Sequence, residues 1–334
     1  MKWLRIILFP IVPIYFIVTW VRNLLYDIGW KSSKAYDFPV ICVGNLSTGG
    51  TGKTPMVEYL VRLLSPDYNL ATLSRGYGRK TKGFLLAKDN ASAEKLGDEP
   101  FQIYLKFKEI TVAVDEKRRH GIEVLRSLQP KPEVILLDDA FQHRKVKAGL
   151  NILLTAYEKL YVDDIPLPTG NLREPKSGAK RAQIVVVTKC PKHISEAQKL
   201  QIKEKLNLLP TQRLFFSHIT YDSNVYNEDK ELELTSLHKF TLVTGIANAK
   251  PLVEHLQTLN LEFRHLEFSD HHNFTFDELN TFSNDKLIVT TEKDYVRLKD
   301  IGPLQGKLFY LPIKIQLDQD ADFDTVVKRF TKEV

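Results

Sequence analysis

The apolar positions of this chain fall into short continuous runs, and each run stops at a glycine turn, an acid pair or a polar loop. Residues 40–43, 70–73, 109–114, 134–137, 150–154 and 184–187 read this way. Between them lie helix-spaced stretches such as Met56, Tyr59, Leu60, Leu63 and Leu64 over residues 55–64. A strand that is apolar at every position is covered on both faces, so the pattern predicts a mostly parallel sheet flanked by helices. Around residues 221–233 the chain turns polar, with Asp222, Ser223, Asn224, Asn227, Glu228, Asp229 and Lys230 close together. A second, smaller α/β set follows, with strands near 241–243, 261–268, 287–290 and 308–315 and a terminal helix. The expected organisation is an N-terminal segment over 1–30, a main domain over 31–220 and a smaller α/β domain over 221–334.

The N-terminal segment breaks the pattern. Residues 6–21 carry no charge, follow Lys2 and Arg5, and contain Pro10 and Pro13. A helix of this length reaches about 24 Å, short of a hydrocarbon core of about 30 Å. Trp3, Tyr15, Trp20, Tyr26 and Trp30 supply aromatic rings suited to the headgroup zone. A buried core helix and a secretory signal are the competing readings, but no small-x-small cleavage site follows the run. The expectation is a segment seated in the membrane without spanning it.

The sharpest chemical signal is Val40-Ile41-Cys42-Val43-Gly44-Asn45-Leu46-Ser47-Thr48-Gly49-Gly50-Thr51-Gly52-Lys53-Thr54-Pro55. An apolar strand, a glycine loop and a helix start are what a phosphate-binding loop requires. Backbone N–H groups curl around the anion and the helix adds its positive dipole end. Ser47, Thr48, Gly49, Gly50, Thr51, Gly52, Lys53 and Thr54 are therefore the candidate nucleotide site, with Lys53 on the β/γ-phosphates and the Thr54 hydroxyl on Mg²⁺. The first glycine of the general motif falls on Ser47, while Gly44 lies three residues too early. The fold expected is thus of the phosphate-loop NTPase type.

Asp138 and Asp139 end the run 134–137, where a carboxylate can hold Mg²⁺ directly or through water; turn formation is the alternative. Asp98 and Glu99 stand at a helix start, where N-terminal capping explains them equally well. Asp270-His271-His272 and Asn171-Leu172-Arg173-Glu174-Pro175 carry little information alone.

Composition narrows the setting. With 334 residues, 43% hydrophobic and 26% charged, the chain is globular and large enough for a sizeable core. Two cysteines, Cys42 and Cys190, suggest neither zinc nor a disulfide framework. A net charge of +6 includes basic clusters at residues 75–82, 117–120 and 144–147, which favour an anionic substrate or an anionic membrane surface. Nothing implies a nucleic acid or an obligate protein partner.

The motifs together resemble the tetraacyldisaccharide 4'-kinase family of lipid A biosynthesis, nearly end to end. The resemblance rests on the apolar N-terminal segment, Gly44-Asn45-Leu46 through Gly52-Lys53-Thr54-Pro55, Ser74-Arg75-Gly76-Tyr77-Gly78 and Gly97-Asp98-Glu99-Pro100. It continues through Asp138-Asp139-Ala140-Phe141-Gln142-His143-Arg144, Leu172-Arg173-Glu174-Pro175, Asp270-His271-His272 and Thr291-Glu292-Lys293-Asp294. Ala140 stands where the pattern expects glycine. The resemblance implies ATP- and Mg²⁺-dependent phosphorylation of the 4'-hydroxyl of an acylated glucosamine disaccharide 1-phosphate at the cytoplasmic face of the bacterial inner membrane. It also implies Asp98 as base, His271 as its partner, Lys53 and Asp139 in catalysis, and Thr54, Asp138, Asp139 and Glu174 around the metal. Arg118, Gln142 and Tyr77 would contact substrate. The rival readings are a GTPase-like switch, for which Thr188-Lys189-Cys190-Pro191 lacks a base-gripping Asp, and a non-catalytic nucleotide-binding scaffold on the membrane.

Overall fold

The computed structural model describes residues 8–270, 272 and 274–333. The strands, in chain order, are β1 (Val40–Asn45), β2 (Leu70–Ser74), β3 (Leu85–Leu86), β4 (Thr111–Val114), β5 (Val134–Asp138), β6 (Leu150–Ala156), β7 (Ile184–Thr188) and β8 (Arg213–Tyr221). They continue with β9 (Asn224–Tyr226), β10 (Glu231–Glu233), β11 (Lys239–Thr244), β12 (Glu262–Glu267), β13 (Ile288–Thr291), β14 (Leu308–Leu311) and β15 (Ile313–Leu317). Among the described residues they form two sheets. The first has the order β15-β8-β7-β6-β1-β5-β2-β4-β3 and the second β10-β9-β14-β13-β11-β12. From β8 to β4 every neighbouring pair of the first sheet is parallel, and only the edge strands β15 and β3 run antiparallel. This is the mixed α/β, phosphate-loop NTPase-like fold that the continuous apolar runs predict.

The reason those runs are continuous is visible in the packing. Along β1, Val40 and Cys42 enter the core on one face, while Ile41 and Val43 enter the core on the other. Ile135 and Leu137 of β5 alternate with Val134 and Leu136 in the same way. Period-two geometry sends successive side chains to opposite faces, so a doubly covered strand must be apolar throughout.

The longer helices are α1 (Val12–Asp27), α2 (Lys53–Leu64), α3 (Asp98–Lys106), α4 (Arg118–Leu125), α5 (Glu196–Leu206), α6 (Lys250–Thr258), α7 (Glu292–Leu298) and α8 (Asp320–Glu333). β1 and β5 are neighbours, so the phosphate loop after β1 and the acid pair after β5 leave the same edge of the sheet. In open parallel sheets this carboxyl edge is where ligands gather.

The expected division at residues 221–334 needs correction at its far end. Residues 308–315 form not one strand but two, broken at Pro312, whose missing N–H cannot continue a ladder. β14 stays in the second sheet, whereas β15 crosses over to pair with β8, register Ile315 to Ile219. α8 follows it, and Phe323 and Val327 bury themselves in the first sheet's core. The second sheet is thus an excursion from the first, entered after β8 and left at Pro312. Strand β8, absent from the expected element list, is the exit.

α1 runs further than the uncharged run suggests. The helical stretch Phe9–Asp27 has 19 residues, is long and apolar enough by length and composition to cross a membrane, and is mostly exposed. Its inward side is polar: Thr19 and Asn23 are buried, while Ile14, Ile17, Val18 and Trp20 are exposed.

Candidate active site

Gly49 and Gly52 take positive φ, 110° and 80°, a region that disfavours side chains. Gly52 is the N-cap of α2, so Lys53 and Thr54 open the helix with their N–H groups directed out of its end. Among the described residues no protein acceptor meets the N–H of Gly50, Gly52 or Lys53. The loop is braced from outside. Asn45 Nδ2 donates to Thr51 Oγ1 at 2.8 Å, Thr188 Oγ1 donates to the Thr51 carbonyl at 2.8 Å, and the Thr48 N–H donates to the Asn171 carbonyl at 2.7 Å. Gly44, the displaced glycine, serves packing: a Cβ there would meet Phe141 Cβ at 2.6 Å.

Lys53 Nζ lies 3.7 Å from Asp139 Oδ1. Arg173 grips the same carboxylate with two donors, at 3.0 and 2.7 Å, and also donates to Asn45 Oδ1. Burial alone would raise the Asp139 pKa, but the Arg173 hydrogen bonds and the charges of Lys53, Arg173 and Arg118 outweigh it and lower the net value. Asp138 goes the other way. Its carboxyl is pushed up to about 6, first by burial and then by the charge of Asp139. Ser74 Oγ donates to Asp138 Oδ2 at 3.3 Å, and Oδ1 is buried without a protein partner. An orphaned buried carboxylate oxygen beside a held-ionised Asp139 fits a hard divalent cation.

The second sheet reaches this site through α7. Arg297 pairs with Asp98 Oδ2 at the start of α3, its Nε at 3.0 Å, and Lys293 Nζ lies 3.4 Å from Glu99 Oε1. Glu99 in turn adds its charge to those acting on Asp138. A third bridge stands behind them: Lys106 Nζ sits 2.6 Å from Glu58 of α2 and 2.5 Å from Glu292 of α7. Asp98 is not a side-chain N-cap; Gly97, at φ 92°, holds the cap position because a Cβ there would meet the Tyr77 carbonyl at 2.8 Å. Tyr77 itself is 80% exposed beside that contact.

Three of the expected site residues are engaged by the protein itself. Arg118, expected to contact phosphate or sugar, is 2% exposed and donates to the backbone carbonyls of Asp115 and Asp138, at 2.5 and 3.3 Å. It thereby braces the end of β5 from behind. Gln142, expected on the substrate, directs its amide inward to the Asn45 carbonyl at 2.8 Å and to Glu174 at 2.9 Å. Glu174, expected near the metal, has both oxygens engaged, by Asn23 at 2.7 Å, Gln142 at 2.9 Å and Arg181 at 2.8 and 2.9 Å. His271 lies outside the described residues. His272 is committed to its own loop, 2.9 Å from Glu278 Oε2 and 3.2 Å from Ser269 Oγ.

A sequence model described as tetraacyldisaccharide-1-P 4'-kinase matches residues 4–332. The chain belongs to this family. It is similar to the tetraacyldisaccharide 4'-kinase of Flavobacterium johnsoniae, with 53% identity over 100% of this chain and 99% of the relative. The corresponding protein of Flavobacterium psychrophilum is 49% identical over 99% of this chain and 98% of its own. Among solved structures, LpxK from Aquifex aeolicus in complex with ATP superposes with a TM-score of 0.78 at 31% identity, covering 98% of this chain and 99% of that one.

Within the 4'-kinase fold, Arg173, Arg297 and Lys189 also stand at the site, outside the residues expected there. Arg173 reads in sequence as half of an ordinary ion-pair dipeptide. Lys189 read only as a missing guanine motif, yet its Nζ stands 3.6 Å from where a Cβ on Gly50 would lie. Its backbone is left-handed, φ 58°, and among the described residues it makes no hydrogen bond or ion pair. Partial burial and the nearby Lys293 charge both lower its pKa. A cation so placed, over open loop amides, reads as a phosphate ligand.

Proposed function

We propose that this chain transfers the γ-phosphoryl group of ATP to the 4'-hydroxyl of a tetraacylated glucosamine disaccharide 1-phosphate, the lipid A step for which its family is named. The observation that carries the reading is the phosphate loop whose Gly50, Gly52 and Lys53 amides meet no protein acceptor, set against an ionised Asp139. Phosphoryl transfer needs little covalent help from a protein; positioning and charge stabilisation do most of it.

The loop amides, Lys53 and Lys189 hold the triphosphate from one side. Thr54, Asp138 and Asp139 are the residues that would hold Mg²⁺, which would supply charge neutralisation to the triphosphate when bound. Asp98 accepts the proton of the attacking hydroxyl, and Arg297 orients its carboxylate from the second sheet. Lys53 meets the charge that develops on the transferred group. Tyr77, projecting beside the Gly97 turn, offers an aromatic surface for the sugar or its acyl chains.

α1 supports a membrane seat. Ile14, Ile17, Val18 and Trp20 are exposed on a helix whose other side is polar and docked, and Trp30 is exposed just beyond its end, which supports a helix lying along an apolar medium. This reading places the site at the cytoplasmic face of the inner membrane, where ATP and lipid meet. The test is ATP turnover by the purified protein in micelles with Mg²⁺. Consumption that depends on the acylated disaccharide supports a kinase, whereas equal consumption without it supports a switch, and none at all a scaffold.

A further inference from the structure

α1 carries a stripe of polar contacts that a membrane seat alone does not need. Tyr15, Thr19, Arg22 and Asn23 recur at helical spacing on its inner side. The Tyr15 hydroxyl donates to the Arg173 carbonyl at 2.8 Å, Arg22 donates to the Gln142 carbonyl at 2.5 Å, and Asn23 Nδ2 donates to Glu174 Oε2 at 2.7 Å. Arg144 answers from the body, donating to the Asn23 carbonyl at 2.9 Å and pairing with Asp27 at 2.7 Å. All of these partners lie in the two loops that shape the phosphate site. From Glu174 the contacts run through Gln142 to the Asn45 carbonyl, and from the adjoining Arg173 to Asn45 and Asp139.

We infer that Asn23 is a positioning residue for phosphoryl transfer: from the inner face of α1 it fixes Glu174, and through it the loops that hold Asp139 and the phosphate loop. Glu174 is 2% exposed, so its charge depends on its three donors, and losing one loosens a carboxylate that two loops share. The helix that meets the lipid is thereby also a wall of the site. This inference rests on the reaction proposed above.

Two substitutions of Asn23, one of them also made in a Glu174→Gln background, test it. Asn23→Ala should lower kcat in micelles about tenfold, with the KM for ATP and sedimentation with anionic phospholipid vesicles unchanged. In a Glu174→Gln background it should cost little more, because groups acting as a unit fail together. Asn23→Asp sets two carboxylates face to face in a buried place, where the pair holds one proton to a higher pH than a lone carboxylate would. Its activity relative to the parent should therefore rise as pH falls from 8 toward about 6. A kcat within twofold of the parent in Asn23→Ala, or losses additive with Glu174→Gln, overturns the inference. So does a loss in Asn23→Ala that tracks vesicle release, or an Asn23→Asp activity ratio flat with pH. If Asn23→Ala does not fold, the Asn23→Asp profile decides alone. A parent inactive on the lipid overturns the proposed reaction and this inference with it; an active parent with an indifferent Asn23 overturns this inference only.

Discussion

The two sheets repeat one local plan and use it for opposite ends. In the first, β1 runs into a glycine loop and α2, and the loop amides stay open. In the second, β11 runs into Gly245 and then α6, but the Gly245 N–H donates to Asp294 Oδ2 at 2.9 Å. Asp294 is fully buried, and a Cβ on Gly245 would sit 2.9 Å from its other oxygen. The protein has filled the second loop with its own carboxylate where the first leaves room for a phosphate. A strand–glycine–helix turn becomes an anion site only when no internal acceptor occupies it. Freed from binding, the second sheet instead delivers α7, whose Lys293 and Arg297 face Glu99 and Asp98 across the gap.

The largest effect that could break this contrast lies in the open loop. Lys53→Ala should lower kcat at least about a hundredfold, a loss of ~2.7 kcal/mol or more in transition-state stabilisation. Steady-state kinetics with near-parental turnover would remove the phosphate loop from the chemistry.

Next comes Gly44, the packing glycine under the same loop. Gly44→Ala forces a methyl group against Phe141 and should cost about 1–3 kcal/mol of stability, read as a lower urea midpoint with unchanged slope. An unchanged midpoint would mean that β1 and the Phe141 turn separate easily, which the contact distance contradicts.

The second sheet's contribution should be smaller. Arg297→Ala should reduce kcat about tenfold, ~1.4 kcal/mol, with KM for ATP near normal, and Arg297→Lys should restore part of it. Equal losses in ATP affinity and turnover would make α7 a structural support only.

The smallest effect concerns the bridge beneath. Burial, and then the Glu58 charge, push the Glu292 pKa from 4.5 to about 7. The folded state therefore keeps a proton that the unfolded chain releases in that window, so stability falls as pH rises through it. Glu292→Gln should flatten the dependence of Tm on pH between about 4.5 and 7 relative to the parent. Parallel Tm profiles would show that Glu292 does not titrate there.

How much of this was legible in sequence varies with how local the cause is. The strand-to-helix frame of the phosphate loop and the acid pair after β5 are set by neighbours in the chain, and both are readable. The early Gly44 makes sense only once Phe141 is seen packed on β1. Arg118 is expected on the substrate only through the family resemblance; its burial behind β5 is a tertiary fact. Arg173 carried no signal in a dipeptide, since its partners Asp139 and Asn45 lie 34 and 128 residues away. Residues 308–315 look like one strand in sequence, and neither the break at Pro312 nor the return of the chain to the first sheet has a local cause outside that proline.

The most direct test follows the phosphate itself. The parent protein is incubated with ATP, Mg²⁺ and an acylated glucosamine disaccharide 1-phosphate in micelles, and the recovered lipid is examined by phosphorus NMR. The account predicts a second phosphomonoester on the 4' carbon beside the original 1-phosphate, absent with Lys53→Ala. Release of inorganic phosphate with the lipid unchanged, or a phosphate on another hydroxyl, would contradict it.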